Sequence, residues 1–80
     1  MAERTPTEKD FLSKFGRAVK EIRLEEELSQ EELGHASNLD RSYVGGVERG
    51  ERNISLLRVR QLAEGLGVEI ATILDRMQDQ

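Results

Sequence analysis

Eighty residues with 16 acidic and 12 basic side chains, no cysteine and one proline make one small domain, spanning 1–80, that buries only about 60–65% of its unfolded surface. With no disulfide to add stability, self-association is expected, and a single histidine, His35, without cysteine excludes the usual zinc sites. The net charge of −4, with no strongly basic segment, argues against a generic nucleic-acid coat, so any phosphate binding must come from a few placed contacts, which two copies acting together would help.

Thr5-Pro6-Thr7-Glu8 reads as a helix start, with Thr5 as N-cap, Pro6 where a missing N–H is harmless and Glu8 closing a capping box. Phe11, Phe15, Val19 and Ile22 then recur at helical spacing and predict one apolar, core-facing stripe on a helix reaching about Glu26. The acidic run Glu25 to Glu27 reads as a solvated helix end, too negative to face phosphate. The polar start of the chain lacks the apolar centre of a secretory signal, and no apolar run could span a bilayer, so a cytoplasmic protein is expected.

Ser29 and Glu32 form a second capping box, ahead of a short helix with Leu33 and Ala36 on its apolar stripe. Asp40 caps a third segment in which Val44 and Val47 point inward while Arg41, Ser42, Gly45 and Arg49 point out. Gly50 to Asn53 is loop chemistry. Ser55 caps a fourth helix carrying Val59, Leu62, Ala63 and Leu66, with Gly65 and Gly67 at its end. Ile70, Ile73, Leu74 and Met77 line one side of a last helix at about 69–78. No segment alternates as a strand does, so the fold class is all-α with about five helices.

The informative stretch runs from Gln30 to Arg49, QEELGHASNLDRSYVGGVER. Two short helices joined by a tight turn pack steeply, which requires a small residue at the crossing and a left-handed residue in the turn. Gly34 and Asn38 meet those demands, and Leu33, Leu39, Val44 and Val47 supply the apolar contacts. Gly45 and Gly46 each cost about 0.8–1 kcal/mol in a helix relative to alanine. Close approach to DNA or to a neighbouring helix would offset that cost; otherwise the helix ends earlier.

This stretch, with IRL and LSQEEL before it, VERG after its third helix and LAEGLGV near the end, resembles the helix-turn-helix of lambda-repressor and Cro type, the Xre family. NLDRSYVGGVERGERNISL is similar, more narrowly, to the controller proteins of restriction-modification systems. The resemblance implies a compact five-helix domain acting as a sequence-specific transcription regulator, a homodimer on a pseudo-palindromic double-stranded DNA operator. Arg41, Ser42 and Gly45 become the base readers, although the family carries a polar residue where this chain has Gly45. Arg41 also has independent merit, because a guanidinium can grip guanine O6 and N7 together.

Gln30 opens the second helix, where free N–H groups and the helix dipole favour a phosphate. Tyr43, Arg49, Arg52 and Asn53 are expected to touch the DNA backbone, with core packing the other role open to Tyr43. Arg23 and Glu48 match a family pair that forms a buried salt bridge. Ile70, Ile73, Leu74 and Met77 are expected to form a two-fold interface placing the recognition helices about 34 Å apart, unless the stripe only closes the monomer core. RNA polymerase is a further expected partner. No enzyme activity, cofactor, metal, membrane or small-molecule ligand is expected. The competing reading is a protein-interaction module, such as an antitoxin-like partner of another protein, supported by the acidic balance.

Overall fold

The computed structural model describes residues 6–80, with side chains from Thr7 onward. Five helices follow one another, α1 (Pro6–Glu25), α2 (Gln30–Ser37), α3 (Arg41–Glu48), α4 (Leu56–Leu66) and α5 (Ile70–Met77), and there is no strand among the described residues. The expected all-α architecture is the one observed. The Thr5 cap lies outside the described residues.

Phe15, Ala18, Val19 and Ile22 bring α1 into the centre of the core. Phe11 continues the same stripe yet is 60% exposed, which corrects the expectation that it is core. Helical spacing fixes its side of α1, but among the described residues no other part of the chain covers its ring there. Its ring instead borders an open apolar groove with Leu12, Ile54, Leu56 and Leu74. At its far end α1 stops through a left-handed Glu27, at φ 58°, while the Leu28 N–H bonds back to the Arg23 carbonyl at 3.0 Å.

The Ser29 hydroxyl accepts from the Glu32 N–H at 3.0 Å, and the Glu32 carboxylate accepts from the Ser29 N–H at 2.8 Å, completing the expected capping box. Asn38 takes the left-handed conformation, at φ 58°. A β-carbon at Gly34 would stand 2.7 Å from the Leu39 carbonyl oxygen, so only glycine lets the chain turn this sharply into α3. Ala36 is exposed, because α2 is eight residues long and turns Leu33, Gly34 and Ser37 inward instead.

Ser55 caps α4 by accepting from the Arg58 N–H at 3.2 Å, and Gly67 ends it in the left-handed region, at φ 74°. Gly65 lies within α4, rather than ending it, and faces the Ser37 hydroxyl of α2. α5 packs chiefly on α1, where Ile73 is fully buried and Met77 nearly so. This divides the stripe expected to form a dimer interface. Ile73 and Met77 are used by the monomer core, Ile70 is half-buried, and Leu74 stays 45% exposed. The Arg76 guanidinium of α5 reaches Glu25 at 2.7 and 3.0 Å and Glu21 at 3.4 Å. Glu25 is therefore tied down rather than merely solvated. No helix among the described residues is long and apolar enough to cross a membrane.

Candidate nucleic-acid interface

The α2-turn-α3 unit is clamped to the rest of the molecule at the end of α3. Arg23 donates through Nε to Glu48 Oε2 at 2.7 Å and through Nη2 to Glu48 Oε1 at 3.1 Å, and both residues are buried. The guanidinium also donates to the Leu28 carbonyl at 2.8 Å, while Gln30 Nε2 donates to Glu48 Oε1 at 3.0 Å. The pair implied by the resemblance is thus present, and it joins α1, the α1-α2 connection, α2 and α3. Such a fork constrains two planar groups together and fixes the axis of α3 relative to α1.

With its far end held, α3 leaves its first residues open. Arg41 and Ser42 are exposed, and Arg41 borders a shallow hollow of about 420 Å³ with Arg23, Ser29, Gln30 and Glu31. Asp40 begins the helix and accepts from the Ser42 N–H at 3.1 Å; the Ser42 hydroxyl donates to the same carboxylate oxygen. These bonds, the hydroxyl's first and the backbone's second, hold the Asp40 carboxyl below its ordinary value, against a smaller opposing effect of desolvation.

The glycine pair does not lie bare. A β-carbon at Gly45 would stand 3.0 Å from Arg49 Nη1 and 3.6 Å from Gln30 Oε1, and one at Gly46 would stand 3.0 Å from Arg52 Nε. Gly45 and Gly46 are buried beneath these long side chains, which corrects the expectation that Gly45 belongs to an open outward face. The missing side chains leave slots that longer neighbours fill. Gln30, expected to offer its amide to a phosphate, spends one donor on Glu48 and is half-buried. Arg49 is exposed and also bonded to Glu51 at 3.1 Å.

Tyr43 is half-buried, with two guanidiniums over its ring, Arg52 at 5.3 Å and Arg58 at 4.7 Å from the ring centre. Among the described residues neither arginine has a carboxylate partner. Two unneutralised cations held against one ring make a local positive centre on an otherwise acidic protein. Arg58 is absent from the sequence-based expectations. Its signal is local: Arg60 has Glu64 four residues on and pairs with it at 3.2 Å, whereas Arg58 has Leu62 there. Asn53, next to Arg52 in the chain, borders the apolar groove with Phe11 and Leu56. His35 is exposed, and no group of three or more metal-binding side chains occurs among the described residues.

The helix-turn-helix family model matches residues 19–73, which spans the clamp, both helices of the unit and the first half of α5. The control protein C.BamHI of Bacillus amyloliquefaciens is 40% identical over 62 residues, covering 76% of each chain. The control protein C.MunI of a Mycoplasma species is 32% identical over 72 residues, covering 89% of this chain and 97% of that one. The crystal structure of the restriction-modification controller protein C.AhdI from Aeromonas hydrophila superposes with a TM-score of 0.76 at 52% identity, covering 78% of this chain and 94% of that one. These relatives are regulators rather than enzymes. The chain belongs to the helix-turn-helix family of Xre type and is a transcriptional regulator similar to restriction-modification controller proteins.

Proposed function

We propose that this chain binds a pseudo-palindromic DNA operator as a homodimer and controls transcription of a restriction-modification system from it. The observation that carries the reading is the exposed start of α3, where Arg41 and Ser42 stand clear while Arg23 and Glu48 hold the other end of the helix. In such a unit the second helix enters the major groove with its N-terminal residues at base edges. Arg41 reads guanine, worth about 1–3 kcal/mol of discrimination. Ser42 reads the neighbouring base edge, and Gly45 lets the backbone come close once Gln30 and Arg49 turn onto the DNA. Arg49, Arg52, Tyr43 and Asn53, with Gln30 at the start of α2, hold the phosphates and set register.

One domain of this size touches too few base pairs to find one site in a genome, so the reading needs two copies. The apolar groove supplies the surface. Leu56, Phe11 and Leu74, which line it, are 78%, 60% and 45% exposed, and Leu57, next to Leu56 in the chain, is 64% exposed. A patch of this kind on a small protein is the mark of an interaction site. The protein acts in the bacterial cytoplasm at the nucleoid, with no catalytic step and no small-molecule effector. It answers to its own concentration, and RNA polymerase is its partner at the promoter.

Sequencing the genomic DNA retained by the purified protein, then titrating that duplex at several salt concentrations, tests the reading. A palindromic sequence and a steep loss of affinity with salt are expected. The net charge of −4 and the same groove favour one other reading, an antitoxin-like module that grips a protein, and a flat salt response with no enriched sequence would favour it over DNA binding.

A further inference from the structure

We infer that Asp40 sets the hydrogen-bonding polarity of Ser42, so that Ser42 reads only a base bearing an amino group in the major groove, adenine or cytosine. The inference rests on the DNA-binding reading above and adds to it the class of base that is read. A serine hydroxyl has one proton and two lone pairs, and left to itself it serves as donor or acceptor at a base edge. Here the choice is already made. The hydroxyl proton is directed onto Asp40 Oδ2, the same oxygen that accepts from the Ser42 N–H at 3.1 Å. An ionised carboxylate can only accept, so what Ser42 turns outward is lone pairs. Asp40 is ionised at neutral pH, since these bonds hold its carboxyl below an ordinary value of 3.8 that already lies well under neutrality.

Capping and the helix dipole both favour an aspartate at this place, but neither requires one. Asparagine or serine caps a helix about as well, without bringing a negative charge to the end of α3 that must approach phosphates. The carboxylate adds something those residues supply weakly, a charged acceptor that holds the hydroxyl proton. Arg41 beside it is the reverse case, a side chain with donors only. Adjacent residues thus present opposite polarity. Arg41 suits the guanine O6 and N7 acceptors, whereas Ser42 suits adenine N6 or cytosine N4 and meets lone pair with lone pair at guanine O6 or thymine O4. Asp40 acts here as a positioning residue, through Ser42.

The test is selection from randomised duplexes by the wild type, Ser42→Ala, Asp40→Gly and Asp40→Asn, read by sequencing. The wild type is expected to enrich adenine or cytosine over guanine and thymine by roughly fivefold at one position of each half-site, the discrimination one hydrogen bond supplies. Ser42→Ala loses the preference at that position. Asp40→Gly, a capping change that costs little, brings guanine or thymine there to near parity and leaves the guanine read by Arg41 unchanged. Asp40→Asn, which keeps the cap and weakens the acceptor, falls between and serves if the glycine variant unfolds. A Ser42-dependent preference for guanine or thymine, or for no base, overturns the inference, as does an unchanged preference in both Asp40 variants. Loss in the Asp40 variants but not in Ser42→Ala overturns it too, because Asp40 would then read the base directly. Absence of any enriched sequence in the wild type overturns the DNA-binding reading beneath it, so the two failures are told apart.

Discussion

Gly16 of α1 lies directly beneath the end of α3, so that a β-carbon there would stand 2.8 Å from the carbonyl carbon of Glu48. The residue whose carboxylate is gripped by Arg23 is thus also the one whose backbone rests on α1. The obstacle at Gly16 is backbone, which cannot rotate aside, whereas the obstacle at Gly45 is the tip of the exposed Arg49 side chain. Gly16→Ala should lower stability by about 1–3 kcal/mol. Gly45→Ala should raise it by up to about 1 kcal/mol, because the gain in helix propensity outweighs a small shift of a flexible guanidinium. Urea unfolding of the two variants gives opposite shifts in midpoint if this is right.

Glu48→Ala removes one partner of a buried pair and leaves the Arg23 guanidinium without its counter-charge. A loss of about 3–5 kcal/mol is expected, with Gln30 also losing its acceptor. An unchanged melting temperature would show that the clamp has no structural weight. Replacing both Arg23 and Glu48 with apolar residues of similar volume should recover much of the loss, since no charge is then left unpaired.

Leu56 and Ile73 separate self-association from folding. Leu56→Glu, at a residue 78% exposed, should abolish the dimer in sedimentation and weaken operator binding while the monomer stays folded. Ile73→Ala, at a fully buried residue, should cost about 2–5 kcal/mol of folding stability. A Leu56→Glu protein that still sediments as a dimer would move the interface away from the groove.

Base reading and phosphate holding should differ in their salt response. Arg41→Ala is expected to weaken the cognate duplex by about 1–3 kcal/mol and to relax preference at one base pair. Arg52→Ala and Arg58→Ala should weaken all sequences alike, each reducing the slope of log affinity against log salt by about 0.9. Fluorescence titrations of cognate and scrambled duplexes over a salt series measure both effects.

Acid should weaken the fold through the exposed Glu25 carboxylate. Hydrogen bonds from Arg76 hold Glu25 below its ordinary value of 4.5; slight desolvation opposes them and the guanidinium charge adds to them. A carboxylate lowered in the folded state contributes stability that is present above its unfolded value and is lost as pH falls through its folded one. Unfolding midpoints should therefore decline below about pH 4.5, the ordinary glutamate value. In Arg76→Ala the share of that decline due to Glu25 should vanish, and the effect is small because both groups face solvent.

Local chemistry alone accounts for much of this molecule. The Ser29 and Glu32 box, the left-handed Asn38, the glycine at 34 and the caps at Asp40 and Ser55 each involve groups within a few residues of one another, so their order along the chain carries them. The exposed pair Arg41 and Ser42 follows from the same register, since Val44 and Val47 turn inward. The Arg23 and Glu48 pair, 25 positions apart, was legible only through resemblance. Tertiary structure decided the rest. Helical spacing assigns Phe11 to the same side as Phe15 and places Ile73, Leu74 and Met77 on one stripe, but how far the core extends along a helix depends on which other helices reach it. That choice left Phe11 open and buried Ile73 and Met77. Long side chains are freer still: Gln30, Arg49 and Arg52 lie across two glycines, and Arg58 meets Tyr43, because the packing of α2, α3 and α4 brought those groups within reach.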